Sequence, residues 1–202
     1  SELDETAPPA ALDMFIGGQR GYLIEGDDRY NGWFSKTFLQ GIAPGWNAAL
    51  VTRFPEKLTA VIEMDDKVIW FSRDSIFIVF GTGPDNTGAN DNYSPPQRLP
   101  SEVGCIDRGS VAICERGVVF RSKRGLELLT RALQVEYIGA PVEDTIAAIT
   151  IHSAVVLPKA HEIRFAAAGS TTVIIWNYLF DSWYTHTEPR TPVHACVQND
   201  KY

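Results

Sequence analysis

Short apolar runs separated by Gly, Asp, Asn and Pro fill this chain, the pattern of β-strands joined by tight turns. The runs are not scattered. YLI at 22–24, IWF at 69–71, VVF at 118–120 and EIRF at 162–165 share a hydrophobic body ending in an aromatic or Ile. Ile24 to Phe71 is 47 residues, Phe71 to Phe120 is 49 and Phe120 to Phe165 is 45. The strands before them repeat as well: TAVI at 59–62, SVAI at 110–113, SAVV at 153–156 and HACV at 194–197. A period of ~45–49 residues built from about four short strands is the mark of a β-propeller blade. The expectation is an all-β propeller of such blades.

The period divides the chain. Residues 1–9, acidic and closing on Ala7-Pro8-Pro9, suit a linker or an approach strand. Four units follow at about 10–55, 56–105, 106–148 and 149–193, and 194–202 opens a fifth that is cut short. That last copy implies a piece of a longer propeller-containing protein. Hairpin turns are expected at Gly17-Gly18, at 64–67, at 114–117 and at 122–125, and residues 41–55 are expected to form a loop. Little helix is expected; Gly125 and the repeat favour a strand over 126–133. An offset of 46 residues carries Leu129, Leu133 and Tyr137 onto Ile175, Leu179 and Trp183, which predicts matching hairpins with an aromatic in each outer strand. Trp70, Trp176 and Trp183 are expected in the core.

The longest irregular stretch, 81–96, sits between the third and fourth strands of the second unit. An insertion in one repeat usually lies on one face and serves contacts, so Asp85, Asn86, Asn90, Asp91, Asn92 and Tyr93 form the candidate interaction loop. Asp85, Asn90 and Asp91 are oxygen donors of the type calcium takes, but the order of an EF-hand loop is not met. A loop knotted by its own Asn and Asp side chains is the preferred reading. Gly81-Thr82-Gly83 lacks the Gly-Lys-Ser/Thr of a phosphate cradle.

Composition narrows the function further. The 202 residues are 45% hydrophobic and carry a net charge of −7, which suits a folded body and disfavours a phosphate-backbone partner. The basic cluster Arg116, Arg121, Lys123, Arg124 and Arg131 offers a local positive patch or, preferably, a solvated blade edge. Cys105, Cys114 and Cys196 make an odd set without a C-x-x-C pair and read as reduced, buried small hydrophobes. His152, His161, His186 and His194 fall in no nucleophile or metal motif, and the repeated turn of sialidase-type propellers is missing. No catalytic residue, resident metal or cofactor is expected, and no apolar run approaches the ~20 residues of a membrane helix.

Whole segments resemble the β-propeller tail proteins of tailed bacteriophages, the tail tubular, nozzle or neck components that stabilise DNA in the tail. The resemblance lies in WFSKTF at 33–38, MDDKVIWFSRDSIFIVFG at 64–81, GPDNTG at 83–88, VGC at 103–105, GVVFRSKRGLELL at 117–129, VEYIGAPV at 135–142 and WNYLFDSWYT at 176–185. It implies a virion part, assembled in the host cytoplasm, that self-associates as a ring among other tail or portal-proximal proteins and surrounds or plugs the DNA exit channel. DNA would pass without sequence-specific binding. The alternative is a receptor-binding, glycan-binding or glycan-processing tail propeller, in which Tyr30, Trp33, Trp46 and Tyr93 would stack on sugars.

Overall fold

The computed structural model describes residues 1–38 and 41–192. The fold is all-β: four antiparallel sheets, each a four-stranded meander in which sequential strands are hydrogen-bonded neighbours. This is the topology of propeller blades. The chain divides into two compact units, residues 1–104 and 105–202.

In the first unit, β1 (Ala11–Ile16), β2 (Gly21–Glu25), β3 (Asn31–Phe34) and β4 (Val51–Arg53) make sheet one, and β5 (Leu58–Met64), β6 (Lys67–Ser72), β7 (Ile76–Phe80) and β8 (Gln97–Arg98) make sheet two. Side chains alternate faces along a strand. Tyr22, Ile24, Phe34, Leu50 and Phe54 of sheet one therefore meet Val61, Val68, Trp70, Phe77 and Val79 of sheet two in one buried cluster. The Trp70 ring packs 5.1 Å from Phe54 and edge-on to Tyr22. Gly32, opposite Ile24, makes room for it: a Cβ there would lie 2.8 Å from both Trp70 and Phe54.

In the second unit, β9 (Ala112–Cys114), β10 (Gly117–Arg121), β11 (Leu126–Thr130) and β12 (Val135–Tyr137) make sheet three, and β13 (Ile151–Leu157), β14 (Glu162–Ala167), β15 (Thr172–Asn177) and β16 (Ser182–Thr187) make sheet four. Val119, Leu126 and Leu128 face Ile163, Phe165, Ile174 and Trp176 across a second buried cluster. Trp176 and Trp183 stack 5.8 Å apart on sheet four. Cys105 and Cys114 are buried and outside any disulfide.

The repeat extends to irregular detail. A β-bulge falls near the start of the first strand in three sheets, at Ala11/Asp13, Leu58/Ala60 and Ile151/Ser153. The hairpins at Met64–Lys67 and Cys114–Gly117 share one length, and Ser72 and Ser122 close equivalent turns by donating their N–H to the carbonyls of Ser75 and Gly125. Both matches require a spacing of 50, so Trp70, and not Phe71, is the counterpart of Phe120. The one-residue error matters because it exchanges the two faces of a strand.

Three further expectations change, while the expected scarcity of helix holds. The stretch 41–55 holds a strand, β4, too short for its period to show. The 46-residue offset fails: Tyr137 pairs with Glu127, three steps beyond the turn pair Thr130 and Gln134, whereas Trp183 pairs with Trp176 beside its turn. Leu133 is a turn residue with φ 62°, so the strand from Leu126 ends at Thr130. A short helix, α1 (Glu143–Ala147), follows Pro141, with Glu143 and Asp144 in its first turn where the helix dipole favours acids. The expected fifth-unit strand at 194–197, with His194 and Cys196, lies outside the described residues.

Candidate functional site

The loop 81–96 is knotted by its own side chains. Asp85 Oδ1 accepts hydrogen bonds from the N–H of Thr87 (2.9 Å) and Ala89 (3.2 Å) and from Thr87 Oγ1 (2.5 Å), while Oδ2 accepts from Asn90 Nδ2 (2.8 Å). These donors stabilise the carboxylate and lower its pKa from 3.8 to about 2. Asn92 Oδ1 accepts from the N–H of Thr82 (2.9 Å) and Gly83 (2.8 Å), and Asp91 Oδ1 from the N–H of Tyr93 (2.9 Å). Gly81, Gly83 and Gly88 supply left-handed backbone at φ 105°, 76° and 82°. Asp85, the carboxylate nearest to a calcium ligand in the sequence, already has both oxygens engaged. Among the described residues no group of three or more His, Cys, Asp or Glu side chains could hold a metal ion.

Asn86 and Tyr93 face away from the knot toward sheet one. Asn86 Oδ1 accepts from the N–H (2.9 Å) and the hydroxyl (2.8 Å) of Thr37. The Tyr93 ring meets Phe34 edge-on at 4.9 Å, and its hydroxyl lies 3.4 Å from that of Tyr22. The loop is seated by a residue that sequence reasoning missed. Arg20, 2% exposed, donates from Nε to Thr82 O (2.9 Å), from Nη1 to Ser35 O (2.6 Å) and from Nη2 to Pro84 O. One guanidinium thus ties the first limb of the loop, at Thr82 and Pro84, to Ser35 beside sheet one.

The acidic N-terminal segment closes the other side. Leu3 N–H donates to Asn86 O (2.9 Å) and Thr6 N–H to Trp46 O (2.8 Å), while Asn47 Nδ2 donates to Asp4 O (2.7 Å). The Lys36 ammonium, its side chain 7% exposed, lies 3.5 Å from Glu2 and 4.0 Å from Glu5. Residues 1–9 are therefore a strap across the end of sheet one, with Leu3 packed against the buried cluster.

The aromatic residues of the glycan-binding alternative differ in burial: Tyr30, Trp33 and Tyr93 are half-buried and Trp46 is buried. Trp46 is 6% exposed and walls Gly21. Tyr93 is packed as described, Trp33 donates from Nε1 to Glu25 (3.0 Å) and Tyr30 lies under the Arg53 guanidinium. A separate polar cavity of about 640 Å³ is lined by Gly18, Arg20, Tyr22, Glu63, Asp65 and Lys67 among others. Burial raises the Glu63 carboxyl there, and burial beside Tyr93 raises the Tyr22 phenol.

In the second unit the basic cluster is structural. Arg121 Nη1 lies 2.5 Å from Asp107 Oδ2 and also donates to Ile149 O, and Nη2 donates to Ile146 O (2.9 Å) at the end of α1. Arg124 meets the fully buried Glu127 at 2.8 Å and covers the Tyr137 ring. Arg116 lies over Trp176 and reaches Asp181, and Arg131 donates to the Glu115 and Cys114 carbonyls. Lys123, Arg124 and Arg131 are exposed, as a solvated edge requires, and Arg121 alone of the cluster is buried. His152 lies in β13, His161 follows the turn at 158–160, and His186, within the exposed β16, sits 3.7 Å from Glu188. Among the described residues no helix is long and apolar enough to cross a membrane.

No family model and no curated protein matches this sequence. Among solved structures the chain is similar to the computationally designed Ika8 protein, at 16% identity and a TM-score of 0.43. The match covers 92% of this chain and 64% of that one, so this chain spans a little under two thirds of its length.

Proposed function

We propose that this chain is a structural part of a tailed-bacteriophage tail, a blade-built segment of the tube, nozzle or neck that self-associates as a ring around the DNA exit channel. The segment resemblance, at 33–38, 64–81, 83–88, 117–129 and 135–142 among others, motivates the proposal. The observation that carries it is the commitment of charged groups to architecture: Arg20, Asp85, Asp107, Arg121 and Glu127 all spend hydrogen bonds on neighbouring backbone or side-chain groups. Such bonds stiffen a wall, which is what a conduit needs.

The net charge of −7 supports the same reading. An acidic lining repels phosphate and lets DNA slide without adhering. Neighbours in this proposal are other tail or portal-proximal proteins, and the place of action is the virion. A glycan array run beside single-particle imaging of the purified protein tests the assignment. Annular oligomers with a blank array support it. Saturable glycan binding that is lost on Tyr93→Ala or Trp33→Ala contradicts it and favours a receptor-binding propeller.

A further inference from the structure

The cavity of about 640 Å³ lies in the first unit, between the turn that joins β1 to β2 and the turn that joins β5 to β6. Strand alternation places Glu63 two residues beyond Val61, on the face of β5 that packs against sheet one. The apolar cluster ends there, and Glu63 meets the Gly17-Gly18 turn. A Cβ on Gly17 would lie 1.6 Å from Glu63 Oε2 and 3.2 Å from Tyr22 Cε2, so the bare glycine makes room for carboxylate and ring together. Among the described residues the half-buried Glu63 carboxylate accepts one hydrogen bond, from Gly18 N–H at 3.2 Å, and no cation lies within ion-pair distance of it. The cations of the lining are spent elsewhere: the Lys67 ammonium lies 2.7 Å from Asp66 and 3.8 Å from Asp65, and Arg20 donates to the carbonyls of Thr82, Ser35 and Pro84.

A half-buried carboxylate without a countercharge is costly, and burial accordingly raises its pKa. Burial, with the Glu63 charge beside them, also raises the Tyr22 and Tyr93 phenols, whose oxygens lie 3.4 Å apart. A cation seated against Glu63 relieves that cost. The lining holds Glu63, Asp65 and Asp66 against Arg20 and Lys67, an excess of one negative charge. The described residues present no group of three metal-ligating side chains, whereas the volume falls in the range of organic-ligand sites, ~300–1,000 Å³. An ammonium carries three N–H donors and no acceptor, and Val68 and the Tyr22 ring offer an apolar wall beside it. We propose that this cavity binds a small organic monocation, a primary ammonium on a short alkyl chain, with the nitrogen at Glu63 and the chain along Tyr22 and Val68. The site does not depend on the tail assignment.

The test titrates n-butylammonium chloride into the full chain and follows the amides by two-dimensional NMR. Saturable shifts at Gly18, Gly81 and Thr82 are expected, with none from 1-butanol or sodium chloride at the same concentrations. Glu63→Gln keeps the shape of the side chain and an acceptor for Gly18 N–H while removing the charge, and is expected to weaken binding at least about tenfold, a ratio equal to about 1.4 kcal/mol. Asp144→Asn removes the same charge from an exposed position on α1 and is expected to leave the affinity unchanged, which separates the cavity from general attraction to a chain of net charge −7. Gly17→Ala provides a second variant: its methyl takes the space of the carboxylate, which can swing aside, so binding is expected to weaken while thermal unfolding stays cooperative. Equal affinity in the wild type and Glu63→Gln overturns the inference. So do matching saturable shifts from sodium chloride, which make this an inorganic cation site, and unsaturable shifts spread over surface amides.

Discussion

Asp13 reaches out of its own sheet and accepts a hydrogen bond from the backbone N–H of Val61, the first strand of the next sheet, with Oδ2 at 3.0 Å. The second unit repeats the device, with Asp107 Oδ2 accepting from Ile151 N–H at 2.8 Å. Each receiving strand is the outer strand of its sheet, so that alternate backbone N–H groups point away from its own ladder, and each carries a bulge near that point. A carboxylate from β1 in the first unit, and from the turn before β9 in the second, thereby pins the first strand of the following sheet.

Removing these pins is expected to cost unequal amounts. Asp13→Ala leaves one buried N–H without its acceptor, about 1–3 kcal/mol. Asp107→Ala also strips the Arg121 guanidinium of its carboxylate partner, and breaking a buried pair costs about 3–5 kcal/mol. Urea unfolding of the two variants should rank them in that order.

Gly32 is expected to tolerate no side chain. Its virtual Cβ falls 2.8 Å from the Trp70 and Phe54 rings, far inside contact distance. Gly32→Ala should destabilise by about 1–3 kcal/mol through overpacking, and Gly32→Ala combined with Trp70→Leu should lose less than the sum of the single changes. Thermal denaturation of the four proteins closes that cycle.

Arg20→Met keeps much of the packing volume but leaves the carbonyls of Thr82, Ser35 and Pro84 without their donor. A loss of about 3 kcal/mol is expected. Hydrogen exchange should rise first at Thr82 and Gly83, whose N–H groups sit at the base of the loop that Arg20 seats.

The loop knot makes a pH prediction. Asp85 has its pKa lowered from 3.8 to about 2 in the folded chain, so the folded state binds fewer protons there than the unfolded one and its stabilising contribution is full above pH ~4. That contribution should fade as pH drops from about 4 to about 2. Carbon-detected titration of the Asp85 carboxyl should give a midpoint near the lower value, and Asp85→Asn should lack this part of the acid transition. With both Asp85 oxygens already accepting, millimolar calcium is expected to leave the melting temperature unchanged.

What could be read from the sequence follows from the range of the forces involved. The four-stranded units were legible because strand alternation and tight turns are local, as at 64–67 and 122–125. The Asx knot of 81–96 was legible for the same reason, since Asp85 and Asn92 find donors within ten residues. Arg20 and Arg121 were not, because their partners at 82–84 and 146–149 are brought near only by the packed sheets. Lys36 was hidden likewise: nothing local signals that Glu2 and Glu5 will cover it. Helix α1 carried a faint mark in Pro141, Glu143 and Asp144, outweighed by the strand repeat. The false equivalence of Phe71 with Phe120 arose because both faces of β6 are apolar, so hydrophobic pattern alone could not set its register.

The central claim is that these blades belong to a ring-forming wall of a phage tail. Two-dimensional class averages of the purified protein in negative stain, taken across micromolar concentrations, test it most directly. The account expects annular particles of defined rotational symmetry with an open centre wide enough for duplex DNA, and a uniform population of single chains at every concentration would contradict it.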